Sequence, residues 1–143
     1  MRLQGKVALV TGASRGIGEA IARRFVEEGA TVILCARNQA ALSALSKELN
    51  QSGGKTKVFP LDVSQGEAVQ TCVASVQKEF GRIDILVNNA GITRDDLLLR
   101  FKEEDWRLLL RTNLDSLFYF TKAVSRLMLK QHSGRIKIGR AHV

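Results

Sequence analysis

Thr11-Gly-Ala-Ser-Arg-Gly-Ile-Gly18 stands between an apolar run, Lys6-Val-Ala-Leu-Val10, and a stretch whose apolar residues recur at helical spacing. Its reading decides the fold. An apolar run this short, bounded by Gly5 and by Thr11-Gly12, suits a strand buried on both faces. Beyond it, Ile17, Ile21, Ala22 and Phe25 share one side of a helix from Gly16 to Glu28, with Gly29 placed as a C-cap. Gly12 permits a sharp turn, Gly16 a close approach of ligand to backbone, and Gly18 tight packing of helix on strand. The free N–H groups at such a helix start, aligned with its dipole, suit a pyrophosphate. Ser14 adds a hydroxyl donor, and Arg15 a guanidinium that can meet a phosphate with two hydrogen bonds. Ile17 lies in the same turn. The spacing is Gly-x-x-x-Gly-x-Gly rather than Gly-x-Gly-x-x-Gly, so the flanking strand and helix carry as much weight as the glycines.

The same alternation continues outward. Thr31-Val-Ile-Leu-Cys35 reads as a second strand, and Ala40 to Leu49 as a second helix. Lys57-Val-Phe-Pro-Leu61 is a third strand, Glu67 to Phe80 a third helix, and Ile83-Asp-Ile-Leu-Val87 a fourth strand. A long helix from Glu103 to Gln131 follows, with Glu103, Glu104 and Asp105 suited to its N-terminal dipole. Ser133-Gly134 turns the chain toward a fifth strand at Arg135-Ile136. Strands and helices alternating at this pitch specify βαβ units with right-handed crossovers. The expected fold is therefore α/β, a Rossmann-type doubly wound parallel sheet, truncated at the fifth strand. One domain, residues 1–136, holds it.

The end of the second strand selects between nucleotides. A site for unphosphorylated nicotinamide dinucleotide wants a carboxylate there for the ribose 2′-hydroxyl. Cys35-Ala36-Arg37-Asn38 offers none, and Arg37 with Arg15 favours a 2′-phosphate. The expected cofactor is NADP(H).

Bulk properties exclude other classes. The 143 residues are 45% hydrophobic and 25% charged with a single proline, an ordinary globular composition. No apolar run approaches the ~20 residues of a membrane span, and the N-terminus lacks a signal peptide's continuous apolar region. The formal charge of +8 comes from scattered basic residues with no aromatic-rich basic stretch, which argues against nucleic acid. Cys35 and Cys72 read as reduced thiols, not a bridge or a metal site. A cytoplasmic location follows, with a mitochondrial matrix equally compatible.

TGASRGIG, then Leu61-Asp62-Val63, then Asn88-Asn-Ala-Gly91 after the fourth strand, then Asn113 in the long helix, together resemble the short-chain dehydrogenase/reductase family. VNNAGITRDDLLLR is similar to its 3-oxoacyl-acyl-carrier-protein reductase branch. The resemblance covers residues 1–136. It implies that Asp62 and Val63 contact the adenine and that Asn88, Asn89, Ala90 and Gly91 border the cofactor's ribose. It implies that Asn113 binds a water of a proton relay and is in that sense catalytic. The residues themselves add that Trp106, Leu110, Asn113, Leu117, Phe120 and Val124 form one stripe, where an amide needs a hydrogen-bond partner. The implied activity is NADPH-dependent reduction of a β-keto acyl thioester to its β-hydroxy form, in fatty acid synthesis. An acyl carrier protein is the implied partner, attracted by Arg126 and Lys130, and the full-length protein is expected as a homo- or hetero-tetramer built on the helix bearing Phe118, Tyr119 and Phe120.

The family's proton donor is a Tyr whose pKa is lowered by a Lys four positions on (Tyr-x-x-x-Lys), with a Ser holding the substrate oxygen. This chain has one tyrosine, Tyr119; position 123 is Ala, and no Ser follows Ile136. The 143-residue chain is therefore expected to be inactive. Residues 137–143 are expected to be a non-native tail: Ile138-Gly-Arg-Ala-His-Val143 is the translation of ATC GGA AGA GCA CAC GTC, part of a common sequencing adapter, so His142 carries no function. Two other readings stand beside this one: a reductase of the same family acting on another carbonyl compound, and a short non-catalytic nucleotide-binding form.

Overall fold

Five strands pair in parallel in the computed structural model, which describes residues 1–139. They are β1 (Val7–Thr11), β2 (Thr31–Ala36), β3 (Lys55–Pro60), β4 (Ile85–Asn88) and β5 (Arg135–Ile138). Their order in the sheet is β3-β2-β1-β4-β5. Chain order therefore reverses between β1 and β4, whose central residues Ala8, Leu9 and Val10 stand opposite Ile85, Leu86 and Val87. The helices are α1 (Gly16–Glu27), α2 (Gln39–Gln51), α3 (Gly66–Phe80), α4 (Glu103–Leu110) and α5 (Ser116–Gln131).

Strand alternation divides the core in two. Leu9, Ile33, Cys35 and Leu86 point to one side, onto Val69, Val73 and Val76 of α3 and Phe120 and Val124 of α5. Val10, Val32, Leu34 and Val87 point to the other, onto Ala22 of α1 and Leu42, Leu45 and Leu49 of α2. β1 is buried at all five positions, which is why its sequence runs continuously apolar instead of alternating. Each fully buried aliphatic side chain contributes about 1.5–3 kcal/mol. Both faces are therefore needed to offset the entropy of ordering the chain.

Polar groups tie the elements together away from the cores. Arg23 on α1 donates to Glu19 and, at 2.7 Å, to Glu48 on α2. Asp84, just before β4, accepts from the Val7 N–H at 2.9 Å and from Arg82 at 2.8 and 2.6 Å. The Gln131 side-chain amide, at the end of α5, pairs with both backbone groups of Ile83. Cys35 and Cys72 are free and buried with their Sγ atoms 3.8 Å apart. The hydrogen bond to Cys72, together with burial, pushes the Cys35 thiol up.

The structure corrects several expectations. The long helix is two helices, α4 and α5, joined through a π-helical turn at Arg111–Asp115. The stripe Trp106, Leu110, Asn113, Leu117, Phe120, Val124 is not one buried face. Trp106 and Leu110 are exposed, and only Phe120 and Val124 reach the core. Phe118, Tyr119 and Phe120 point in different directions: Phe118 outward, Phe120 into the core, and Tyr119 half-buried beside Gly66 of α3, where an added Cβ would stand 3.3 Å from its ring. β3 begins two residues early, at Lys55. β5 continues past Ile136, with Lys137 opposite Val87 and Ile138 opposite Asn88. Of the expected tail, residues 140–143 lie outside the described residues. No helix among the described residues is long and apolar enough to cross a membrane.

Candidate functional site

The carboxyl ends of β1, β2, β3 and β4 bring four loops to one edge of the sheet, around the point where chain order reverses. Open parallel sheets bind ligands at such a point. The β1–α1 loop has the geometry its glycines suggest. Gly12 and Gly16 have φ values of +63° and +57°, a region that L-residues with side chains avoid. A Cβ on Gly18 would stand 2.1 Å from the Gly12 carbonyl oxygen, so helix and loop pack with no room between them. A Cβ on Gly16 would meet nothing within 4 Å. No side chain caps α1, and Arg15 occupies the N-cap in extended conformation. Because the Glu19 N–H bonds the Arg15 carbonyl, the N–H groups before it are left for a ligand.

A buried hydroxyl joins this loop to the one after β4. Thr11 Oγ1 accepts from the backbone N–H of Asn89 at 3.0 Å and of Ala90 at 2.9 Å, and lies 3.4 Å from the Val87 carbonyl oxygen. Asn89 returns the contact through its side-chain amide, 3.4 Å from the Gly12 carbonyl. Thr11→Val keeps the shape and leaves two loop N–H groups without an acceptor. It is expected to lower stability by about 2 kcal/mol, read as a shifted urea midpoint, whereas Thr11→Ser is expected to stay close to the parent.

Asn113 lies in the π-helical turn, and π-turns recur at functional sites. Its Oδ1 accepts from the Ile92 N–H at 2.8 Å, and its Nδ2 donates to the Ile92 carbonyl at 2.9 Å. The side-chain amide therefore serves as a clasp for the β4–α4 loop, and a Cβ on Gly91 would come within 3.2 Å of it. Both ends of the amide are taken by backbone, and the residue is exposed.

Arg15, Arg37, Asp62, Ile92, Thr93, Arg94, Leu108 and Thr112 line a cavity of about 280 Å³. Asp62 enters it from the loop just after β3. Its Oδ1 accepts from the Ser64 N–H at 2.9 Å and the Ser64 hydroxyl at 2.7 Å, which fixes the carboxylate. Burial alone would raise this carboxyl. The Ser64 hydrogen bonds, with Arg37 and Arg111 nearby, more than offset burial and hold it below the ordinary carboxylate range. A fixed anion and three guanidiniums suit a ligand that has both hydrogen-bond donors and a strong negative charge.

The structure thus brings Arg15, Arg37 and Asp62 to one cavity, and Gly12, Asn89 and Ala90 to one loop junction. Ile17 is half-exposed at the start of α1, and Ser14, half-buried beside it, makes no side-chain hydrogen bond among the described residues. Val63 and Asn88 point into the protein, at 6% and 4% exposure. Neither side chain lines the cavity. The Asn88 Nδ2 is buried with no hydrogen-bond partner among the described residues. The acceptor role of Thr11 has no signal in the sequence, because a threonine ending an apolar strand reads as an ordinary β-branched strand residue.

A parallel sheet of this order, with an uncapped glycine loop at its switch point, is a Rossmann-type dinucleotide-binding architecture. The family model for short chain dehydrogenase matches residues 6–138. The chain belongs to that family. It is 48% identical over 136 residues to the 3-oxoacyl-[acyl-carrier-protein] reductase FabG of Vibrio harveyi, and 51% identical to that of Vibrio cholerae. Each alignment covers 95% of this chain and 54% of the relative, so the chain spans about half the length of these curated relatives. The crystal structure of a metagenomic short-chain oxidoreductase in complex with NADP superposes with a TM-score of 0.93 at 37% identity, covering 96% of this chain and 63% of that one.

Proposed function

We propose that the chain is the nucleotide-binding part of an NADPH-dependent reductase of 3-oxoacyl thioesters carried on acyl carrier protein. The observation that carries the reading is one convergence: an uncapped helix start and the guanidiniums of Arg15 and Arg37 border one cavity, with no carboxylate at the end of β2. Bound there, NADPH supplies a hydride for a carbonyl carbon. The chain's own residues bind and orient the nucleotide. The α1 N–H groups receive the pyrophosphate, Arg15 and Arg37 the 2′-phosphate, and Asp62 the adenine amino group. Asn113 keeps the β4–α4 loop in place beside it. The substrate class rests on the reductases the chain is similar to, and Arg126 and Lys130 on α5 suit an acidic carrier.

The 143-residue chain itself is proposed to bind nucleotide without turning substrate over. Its one tyrosine, Tyr119, packs half-buried beside α3 and has no lysine four positions on. Isothermal calorimetry with NADPH and NADH tests the cofactor reading. NADPH is expected to bind the more tightly, and Arg37→Ala to erase about tenfold of that preference. Equal uptake of both nucleotides, or none, would refute it. Turnover of an acetoacetyl thioester by this chain would refute the non-catalytic reading.

A further inference from the structure

The cavity draws its lining from several loops. Arg15, Arg37 and Asp62 come from the loops after β1, β2 and β3. Ile92, Thr93 and Arg94 of the β4–α4 loop line it as well, with Leu108 of α4 and Thr112 of the π-helical turn. Arg94 is thus a third guanidinium in the cavity of the two that the nucleotide reading already uses, and it comes from a different loop. It is held there by two contacts. One N–H donates to the Thr93 carbonyl at 3.0 Å, and Nε lies 4.0 Å from Asp105 in the first turn of α4. A guanidinium carries five N–H donors, so most of them remain for a ligand or for water. The Asp105 pair is long and half-exposed, a geometry that positions a side chain without neutralising it strongly. Three guanidiniums, against the one lining carboxylate of Asp62 and the long pair of Arg94 with Asp105, leave a surplus of positive charge that a neutral adenosine does not need. They suit an added phosphate, whose two negative charges reward donors from more than one side.

We infer that Arg94 is a further specificity-determining residue, closing on the 2′-phosphate of the adenosine from the β4–α4 side. The inference rests on the proposed NADP(H) site and deepens it: recognition of the phosphate spans the cavity instead of belonging to the β1 and β2 loops alone.

Calorimetry on the 143-residue chain with adenosine 2′,5′-bisphosphate and with AMP tests it. The two probes differ by the 2′-phosphate only. Arg94→Ala is expected to weaken the bisphosphate about tenfold and AMP less than about twofold. Arg94→Lys, which keeps the charge and loses the fork, is expected to fall between parent and Arg94→Ala. Unchanged bisphosphate affinity in both variants overturns the inference. Equal losses on both probes also overturn it, because Arg94 would then serve the adenine or the 5′-phosphate. A parent chain that takes up neither probe instead refutes the underlying nucleotide site, an outcome separable from the first two.

Discussion

Gly18→Ala is expected to destabilise the chain by about 3 kcal/mol and to remove nucleotide uptake with it. The added methyl would lie 2.1 Å from the Gly12 carbonyl oxygen and 2.7 Å from its carbon. These are backbone atoms of a loop that cannot retreat. Gly12 is itself held in a left-handed conformation, where a Cβ would stand 3.0 Å from Ala90. Relief therefore requires α1 to move off the sheet, which opens the packing of Ala22 against Val10 and Val32 and shifts the N–H groups that face the ligand. Gly16→Ala is the control. Its methyl has open space around it but sits at φ +57°, so strain of about 1–2 kcal/mol is expected with the core intact. Urea unfolding followed by circular dichroism separates the two. Equal midpoints for Gly18→Ala and the parent would show that the helix has room the structure does not give it.

Asp84→Ala is expected to lower stability by a similar amount, about 3 kcal/mol, with no ligand involved. The carboxylate accepts the Val7 N–H at the start of β1 and two donors from Arg82, while the Asp84 backbone pairs with Val7 on one side and Arg135 of β5 on the other. Removing it leaves a buried strand N–H without an acceptor. Burial by itself would raise this carboxyl. Its hydrogen bonds with Arg82 and Val7 win and hold it below the ordinary range. A carboxyl depressed in the folded state contributes stability that is complete above the unfolded-state value of about 3.9 and is lost as pH falls through the folded-state value. The acid limb of the stability curve is therefore expected below pH ~4. Asp62, depressed in the same direction, adds to it. Asp84→Asn is expected to flatten that limb, measured as urea midpoints between neutral pH and pH 3.

Much of this architecture is legible in the residues. The order of elements follows from apolar runs alternating with helical periodicity, and the distinct duties of Gly12, Gly16 and Gly18 follow from their places between strand and helix. What escaped depends on contacts between distant positions. Thr11 meets Asn89 and Ala90 across 78 and 79 residues, and nothing local marks its hydroxyl as an acceptor for two N–H groups of a distant loop. Gln131 and Ile83 are a similar case. The stripe from Trp106 to Val124 misled for another reason. Periodicity shows which residues share a helix face, not whether anything covers that face, and the π-turn at Arg111–Asp115 rotates the residues after it relative to those before. β3 starts two residues ahead of its apolar signal because Lys55 and Thr56, at the sheet's edge, are polar even though both pair with β2.

Arg15 and Arg37 have a property that reaches beyond binding. Both are exposed, and neither forms an ion pair among the described residues. The scaffold does not lean on them. The two arginines proposed here for the 2′-phosphate are thus detachable from the residues that maintain shape. Drift at the rim can retune selectivity in a lineage while the interior stays under its own, separate constraint.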